Sequence, residues 1–243
     1  MDSEKKETRT KDSITAVIFD MDDLMINSHP INMDILEAVL NKYGTSLKET
    51  FTVEEEIQNS GLKISDYFQY LIDKYSLHNK ANSQKMTQQF DELILPVFEK
   101  ADVVPMPGLI SLVQALKKNN FKLAIASSAK REKIELVIKK LQLEDIFDVI
   151  VSGEDDIKHG KPAPDIFLKT AEKLGLDPWN CLVIEDAENG IKAAQAAGMY
   201  TIGVHNQFNR KKLGLCQKLD LADKQFNSLK EVSIEIVRGL VSK

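Results

Sequence analysis

The sequence predicts an α/β protein built on a doubly wound parallel sheet, with a helical segment inserted after the first strand. Five short apolar runs alternate with amphipathic segments, which is the pattern of parallel strands joined by crossover helices. The runs are apolar throughout, as expected of strands that are buried on both faces. Residues 29–103, in contrast, carry helical periodicity and no convincing strand.

The first predicted strand, residues 16–19, ends abruptly at a group of carboxylates. Asp20, Asp22 and Asp23 follow directly after its apolar run. Ligands of open α/β sheets bind at the carboxyl ends of the strands. Asp20 and Asp22 are therefore the first candidates for chemistry.

The inserted segment is predicted to form helices, with Gly44 ending the first of them and Ser65 as a cap near the third. Their amphipathic patterns place them at residues 31–43, 53–59, 64–75 and 83–100.

A regular alternation of helices and strands follows the turn at Pro105-Met106-Pro107-Gly108. The helices are predicted at residues 109–118, 130–141, 165–174 and 190–197, and the strands at residues 122–126, 149–151, 181–184 and 201–204. Residues 208–243 are expected to add a short strand or turn and a last helix that contains Val232, Ile236 and Val237.

Each of the first four predicted strands ends in polar residues, and a parallel sheet brings these ends to one edge. After Asp20, these ends are Ser127-Ser128, Ser152-Gly153-Glu154 and Glu185-Asp186. With Lys161 nearby, this composition suits a phosphate group and a divalent metal ion.

Phosphoryl transfer requires a nucleophile, a proton donor and neutralisation of charge. Asp20 is the candidate nucleophile, and Asp22 is the candidate acid and base. Ser127, Ser128 and Lys161 are the candidates for binding the phosphoryl oxygens. Asp186 and Glu185 are the candidates for binding Mg²⁺.

Four stretches resemble, in order and spacing, the motifs of the haloacid dehalogenase superfamily, most closely its β-phosphoglucomutase-like branch of sugar-phosphate phosphatases and mutases. They are D-M-D at residues 20–22, the serine at position 127, G-K-P-A-P-D at 160–165 and I-E-D-A-E-N-G at 184–190. The likeness spans about residues 14–30 and 105–205, and the helical insertion looks like the mobile cap of that branch.

The resemblance implies a covalent mechanism with Asp20 as nucleophile and Asp22 as acid and base. It also implies a Mg²⁺ site formed by Asp20, the backbone carbonyl of Asp22, Asp186 and Glu185. We therefore expect a Rossmann-like catalytic core at residues 14–28 and 104–243, a cap at 29–103 and a disordered tail at 1–13. In the cap, Gly61, Lys63 and Ser65 are the expected substrate contacts.

Departures from the family pattern leave three functions open. Asp23 replaces a usual glycine and Asn27 a usual aspartate, while Asn32, Ile64 and Ala129 stand near positions where the mutases carry histidine, arginine and serine. These differences favour a phosphatase acting on a small sugar or polyol phosphate. A sugar phosphomutase and a phosphometabolite-binding protein impaired by Asp23 are the alternatives.

Structural interpretations of the same residues also remain open. The serines at 127 and 128 can cap the next helix, Lys161 can be a surface lysine, and Glu185-Asp186 can be acids at a helix start. The loop around Gly61 can be a simple turn. The scattered histidines, His29 among them, are expected to have surface or core roles.

The composition argues against several partners. The net charge of −5 provides no overall attraction for nucleic acid or an anionic membrane, and the sequence contains no apolar run of about 18 residues. Cys181 and Cys216 lie in no metal-binding spacing. We expect a cytoplasmic monomer whose partner is a small-molecule phosphate ester.

Overall fold

The computed structural model describes residues 13–47, 52–155, 157–209, 214 and 217–241. The predicted tail, apart from Ser13, lies outside these residues, and so does Cys216.

A six-stranded parallel sheet forms the centre of the molecule, as predicted. Its order is β3-β2-β1-β4-β5-β6, and each neighbouring pair runs parallel. The strands are β1 Ala16–Phe19, β2 Lys122–Ser127, β3 Val149–Ser152, β4 Cys181–Glu185, β5 Tyr200–Val204 and β6 Lys224–Phe226. The short strand left open in the sequence is therefore β6, at the sheet edge.

Both faces of the sheet are buried, which explains why its strands are apolar throughout. Val17 and Phe19 of β1 face one hydrophobic cluster, whereas Ala16 and Ile18 face another, as the two-residue period of a strand requires.

Helices cover both faces of the sheet. They are α1 His29–Asn41, α2 Val53–Asn59, α3 Ile64–Lys74, α4 Ser83–Lys100, α5 Leu109–Lys118, α6 Arg131–Lys140, α7 Asp165–Leu174, α8 Glu188–Ala196 and α9 Ile234–Gly239. Helices α7 and α8 pack on the Ala16 side, and α5, α6 and α9 pack on the Val17 side. Val232 precedes the last helix and is not part of it.

The cap predicted for the third helix is wrong. Helix α3 begins at Ile64, and the Lys63 carbonyl already accepts hydrogen bonds from the backbone N–H groups of Asp66 and Tyr67. Ser65 therefore lies inside the first turn, where its hydroxyl is too late in the chain to cap the helix.

Helices α1 to α4 form a helical insertion between β1 and α5, and it packs on the Val17 side of the sheet through the same hydrophobic cluster. Phe68 of α3 and Phe90 of α4 meet edge to face, with ring centroids 6.1 Å apart. The two connections to the rest of the chain run side by side, since the Met106 N–H donates to the Met25 carbonyl at 2.8 Å. The insertion therefore leaves and rejoins the sheet at one place.

Within the described part of the chain, none of the helices combines the length and the apolar character that crossing a membrane requires.

Candidate active site

The strand register brings the predicted acidic residues together at the carboxyl edge of the sheet. Phe19 pairs with Ile184 on one side and with Ile125 on the other, so that Asp20 lies between the ends of β4 and β2. The Asp20 N–H donates to the Ile184 carbonyl at 3.1 Å, which fixes the start of the loop. Strand β1 lies between β2 and β4, where a doubly wound sheet opens a crevice for ligands.

Lys161 is the buried cation of this edge. Its Nζ lies 2.6 Å from Asp20 Oδ1 and 2.6 Å from Glu185 Oε1, and it donates to the Ala126 carbonyl at 3.3 Å. Only 2% of the residue is exposed. Burial opposes the charge, but the two carboxylates outweigh that effect and raise the pKa of Lys161. Lys161 is therefore not a surface lysine.

Asp20, Glu185 and Asp186 form a compact group of buried carboxylates. Oxygen atoms from the three side chains lie within 4.8 Å of one another. Burial is the main cause that raises the pKa of Asp20 to about 8, and the charges of Glu185 and Asp22 raise it as well. The charge of Lys161 lowers this pKa but does not outweigh burial. Burial and the charge of Glu185 also raise the pKa of Asp186 well above its usual value. Three carboxyl groups therefore face one lysine, and a bound divalent cation would favour their ionised forms.

That donor set fits Mg²⁺, which prefers hard oxygen ligands and carboxylates in particular. The Asp22 carboxylate is not part of this group, because its Oδ1 accepts a hydrogen bond from Lys133 Nζ at 2.7 Å. The backbone carbonyl of Asp22 as a metal ligand stays a prediction of the resemblance.

Glu185 is held from two sides. Its Oε1 faces Lys161, and its Oε2 accepts hydrogen bonds from the N–H groups of Asp186 at 2.9 Å and Ala187 at 3.0 Å. A Cβ at Gly190 would lie 1.8 Å from Glu185 Oε1, so only glycine leaves room for this carboxylate. Helix α8 begins at Glu188, so the Glu185-Asp186 pair precedes the helix and does not lie in its first turn.

The two serines at the end of β2 have different environments, and neither caps helix α6, whose N-cap is Lys130. Ser127 is buried, and its Oγ accepts a hydrogen bond from the Ala129 N–H at 3.2 Å. Ser128 Oγ donates to the Gly61 carbonyl of the helical insertion at 3.0 Å. Ser128 thus binds the insertion in this structure.

Asp23 adopts a left-handed conformation, with φ of 62°, that favours glycine but is also accessible to aspartate. Its Oδ1 accepts a hydrogen bond from the His29 N–H at 2.9 Å, and its carbonyl accepts one from Asn206 Nδ2 at 3.0 Å. Burial, with the charge of Asp22, raises the pKa of Asp23 to about 7. The side chain thus connects the acidic loop to the start of α1.

The helical insertion closes over the site and forms part of a cavity of about 350 Å³ that Asp20, Gly61, Lys63 and Ser65 all line. The ammonium group of Lys63 is already hydrogen-bonded, because its Nζ donates to the Ile157 carbonyl at 2.8 Å. Asn189 Nδ2 donates to the carbonyls of Gln58 and Ser60. Hydrogen bonds from three places therefore hold the insertion over the acidic group.

Several titratable residues of the cavity were not among the candidates from the sequence. They are Lys133, Lys130, Asp91, Glu56 and His29. Lys133 has a visible signal, because it occupies a position on α6 that the helical period places beside the apolar residues Ile134 and Val137. The others carry no sequence signal that separates them from surface residues.

His29 and Glu56 join helices α1 and α2 beside the acidic loop. His29 Nε2 lies 2.8 Å from Glu56 Oε1. Burial lowers the pKa of His29 to about 4, and burial, followed by the charge of Asp23, raises the pKa of Glu56 to about 7. The pair is therefore a partly buried contact inside the insertion.

Comparison with known proteins gives consistent results. The chain is 33% identical over 200 residues to the phosphorylated carbohydrates phosphatase of Thermotoga maritima, covering 80% of this chain and 87% of that protein. It is 31% identical over 224 residues to the bifunctional riboflavin kinase/FMN phosphatase of Arabidopsis thaliana, covering 91% of this chain. The chain spans about half, 55%, of the length of that plant protein.

The fold has close counterparts among solved structures. The β-phosphoglucomutase of Clostridium difficile superposes with a TM-score of 0.79 at 24% identity, covering 94% of this chain and 97% of that one. A family model described as haloacid dehalogenase-like hydrolase matches residues 17–204. The resemblance of the four motifs to the haloacid dehalogenase superfamily is thereby confirmed: the chain belongs to the haloacid dehalogenase-like hydrolases.

Proposed function

We propose that this protein is a Mg²⁺-dependent phosphatase that hydrolyses a small phosphate monoester, such as a sugar or polyol phosphate, through an aspartyl-phosphate. The observation that carries the proposal is the buried group in which Lys161 contacts both Asp20 and Glu185, with Asp186 beside them. A carboxylate nucleophile, a fixed cation and further acidic ligands are the parts that phosphoryl transfer requires.

In the first step, a carboxylate oxygen of Asp20 forms a bond to phosphorus while the bond from phosphorus to the ester oxygen breaks. Asp22 gives its proton to that leaving oxygen, which departs as an alcohol. In the second step, Asp22 takes a proton from water, and the water oxygen attacks phosphorus. The bond to Asp20 breaks, so that inorganic phosphate leaves and both carboxyl groups return to their starting states.

Lys161, Ser127 and the backbone around them provide the binding site for the phosphoryl oxygens. Lys161 supplies a positive charge next to the nucleophile, and the Ser127 hydroxyl lies at the end of the neighbouring strand. Asp20, Asp186, the Asp22 carbonyl and Glu185, at or next to the metal, would hold Mg²⁺. When bound, that ion reduces the repulsion between the anionic nucleophile and the anionic ester.

The helical insertion acts as the cap of this site. The hydrogen bonds from Ser128, Lys63 and Asn189 join it to the sheet edge and close the cavity above Asp20. A closed cavity excludes bulk water while the ester is bound, and these contacts must open for substrate and product to pass. We expect Gly61, Lys63 and Ser65, which line the cavity, to contact the substrate from the cap.

One group of charged residues in the cavity lining favours a phosphatase over a mutase. Lys130 Nζ lies 3.0 Å from Asp91 Oδ2 and 3.4 Å from Glu154 Oε1, so one cation faces two carboxylates. A mutase that is primed by a bisphosphate must bind a second dianionic group, which these paired charges do not favour. A substrate with a single phosphate and a hydroxylated remainder needs no second cation.

The geometry of Asp23 argues against an impaired binding protein. Its carboxylate accepts the His29 N–H, and its backbone has the positive φ that a glycine would supply. The backbone of the acidic loop therefore keeps its conformation with aspartate at position 23. The names of the relatives, among them a fructose-1-phosphate phosphatase and a hexitol phosphatase of Escherichia coli, also support hydrolysis of sugar and polyol phosphates.

The test is a panel of sugar, polyol and nucleoside monophosphates, with and without Mg²⁺, using the wild type and Asp186→Asn. The proposal predicts phosphate release from at least one sugar or polyol phosphate that requires Mg²⁺ and falls sharply in the variant. Isomerisation of a hexose 1-phosphate in the presence of a bisphosphate would favour the mutase instead. Ligand-dependent stabilisation without any turnover would favour the impaired binding protein.

A further inference from the structure

Lys133 is a buried lysine on a helix face that is otherwise apolar. Only 4% of the residue is exposed, and its neighbours on α6, Ile134, Val137 and Ile138, are buried as well. A lysine at such a position is costly unless its ammonium group is paired. The structure supplies one carboxylate partner, Asp22.

The ammonium group of Lys133 contacts residues of the acidic loop after β1 and of the helical insertion. Lys133 Nζ donates to Asp22 Oδ1 at 2.7 Å and to Asn32 Oδ1 at 3.3 Å. It also lies 4.6 Å from the ring centroid of Phe98, a cation–π distance. Asn32 belongs to α1 and Phe98 to α4, so the helical insertion contributes two of the three contacts.

We propose that Lys133 is a positioning residue for the acid and base Asp22, and that the seated helical insertion fixes Lys133 in turn. The inference rests on the proposed function, since it assumes that Asp22 transfers protons. Because the ammonium group holds Oδ1, the proton transfers fall to Oδ2. The orientation of the Asp22 carboxyl group then depends on an insertion that is closed over the site.

The two chemical steps respond differently to a displaced Asp22. Formation of the aspartyl-phosphate from an alkyl ester needs a proton on the leaving oxygen, whereas a p-nitrophenolate group leaves without one. Hydrolysis of the aspartyl-phosphate needs Asp22 as a base whatever the leaving group was. A loss of positioning therefore slows the second step for every substrate and the first step for alkyl esters only.

The experiment measures p-nitrophenol release from p-nitrophenyl phosphate in a rapid-mixing instrument, with Mg²⁺, and steady-state phosphate release from the preferred alkyl ester. The variants are Lys133→Met, which removes the charge, and Lys133→Arg, which keeps it. Lys140→Met is the matched control, because Lys140 lies on the same helix and donates to the carbonyls of Glu99 and Ala101 in the insertion. It does not contact Asp22.

We expect Lys133→Met to keep an initial burst of p-nitrophenol while its steady-state turnover falls about tenfold or more, and Lys133→Arg to recover part of that loss. Lys140→Met should match the wild type in both phases. Equal loss of the burst and of the steady state in a folded Lys133→Met would overturn the inference, as would normal turnover. If Lys133→Met does not fold, Lys133→Gln takes its place.

A double-mutant comparison separates this inference from the proposed function. If Lys133 acts through Asp22, then Lys133→Met lowers turnover in the wild type and has no further effect in Asp22→Asn. An equal fall in both backgrounds would overturn the positioning role while leaving the phosphatase intact. A wild type that releases no phosphate from any ester would overturn both proposals.

Discussion

Asp23 combines an unusual backbone conformation with a buried carboxylate. Its φ of 62° is a conformation that costs most residues roughly 1–2 kcal/mol, less for aspartate, and that costs glycine nothing. The carboxylate accepts the His29 N–H, and burial raises its pKa to about 7. The residue is thus tolerated at a glycine position because its side chain has a local partner.

Replacing Asp23 separates the two properties. Asp23→Gly and Asp23→Ala both remove the carboxylate, but only alanine brings a Cβ into the left-handed conformation. We expect Asp23→Ala to be less stable than Asp23→Gly by about 1 kcal/mol in urea unfolding. Equal stability of the two variants would contradict the positive φ. Turnover should be similar in the wild type and Asp23→Gly, whereas a large rise in the variant would indicate that aspartate impairs the enzyme.

Gly190 tests how tightly Glu185 is held. In Gly190→Ala, the new Cβ would lie 1.8 Å from Glu185 Oε1, which forces the carboxylate away from Lys161 and from the N–H groups of Asp186 and Ala187. We expect a loss of about 2 kcal/mol or more in the free energy of unfolding, together with most of the phosphatase activity.

The control for this change is Gly239→Ala, where the added Cβ has no atom within 4 Å among the described residues beyond its chain neighbours and the backbone of its own helix. That variant should keep both its stability and its activity. A Gly190→Ala protein as stable and active as this control would show that Glu185 can move without consequence, contrary to the packing described above.

The residues that carry the family motifs were predictable because short runs of sequence hold them. Asp20 and Asp22 follow an apolar strand, and Lys161 lies in a proline-flanked loop. Lys133 was missed because its partner, Asp22, is 111 residues away in the chain. A polar residue at an apolar position of a helix is the signal that could have found it, but the signal does not name the partner.

At the scale of elements, the contact between His29 of α1 and Glu56 of α2 joins two helices of the insertion. Because the pKa of Glu56 is raised from 4.5 to about 7, the folded state binds this proton more tightly than the unfolded state does. Protonation of Glu56 therefore stabilises the folded state, and this stabilisation is present in full below about pH 4.5. It is lost as the pH rises towards about 7, where Glu56 ionises in the folded protein.

Glu56→Gln should remove this pH dependence while keeping the shape of the side chain. We expect the free energy of unfolding of the wild type, relative to that of Glu56→Gln, to fall between about pH 4.5 and about pH 7. The measurement is urea unfolding of both proteins across this range. Glu54→Gln, on an exposed position of the same helix, should follow the wild type. Parallel curves for wild type and Glu56→Gln would contradict the raised pKa.

Element boundaries were predicted best where a capping residue marks them. Helices α2 and α4 begin after Thr52 and Asn82, whose side chains accept backbone N–H groups, and α7 ends at Gly175 in a left-handed conformation. Helix α8 was placed two residues late because Gly190 was taken as its start. That glycine lies inside the helix for a packing reason, the close approach of Glu185, which local sequence patterns do not report.

At the scale of the whole molecule, the site depends on a strand order that brings distant parts of the chain together. Alternation of strands and helices predicted a parallel sheet, and four polar strand ends predicted a common edge. The order β3-β2-β1-β4-β5-β6 and the seating of the insertion arise from long-range packing. These determine which side chains meet the acidic loop, so Lys130, Lys133 and Glu56 became candidates only in the folded structure.

The central claim is that Asp20 becomes phosphorylated, and rapid chemical quenching followed by mass spectrometry tests it most directly. With a phosphate ester and Mg²⁺, a fraction of the wild-type chains should gain the mass of one phosphoryl group on the peptide that contains Asp20. The adduct should be absent from folded Asp20→Asn and from the wild type without Mg²⁺. Phosphate release at the wild-type rate by Asp20→Asn, with no adduct on either protein, would contradict the account.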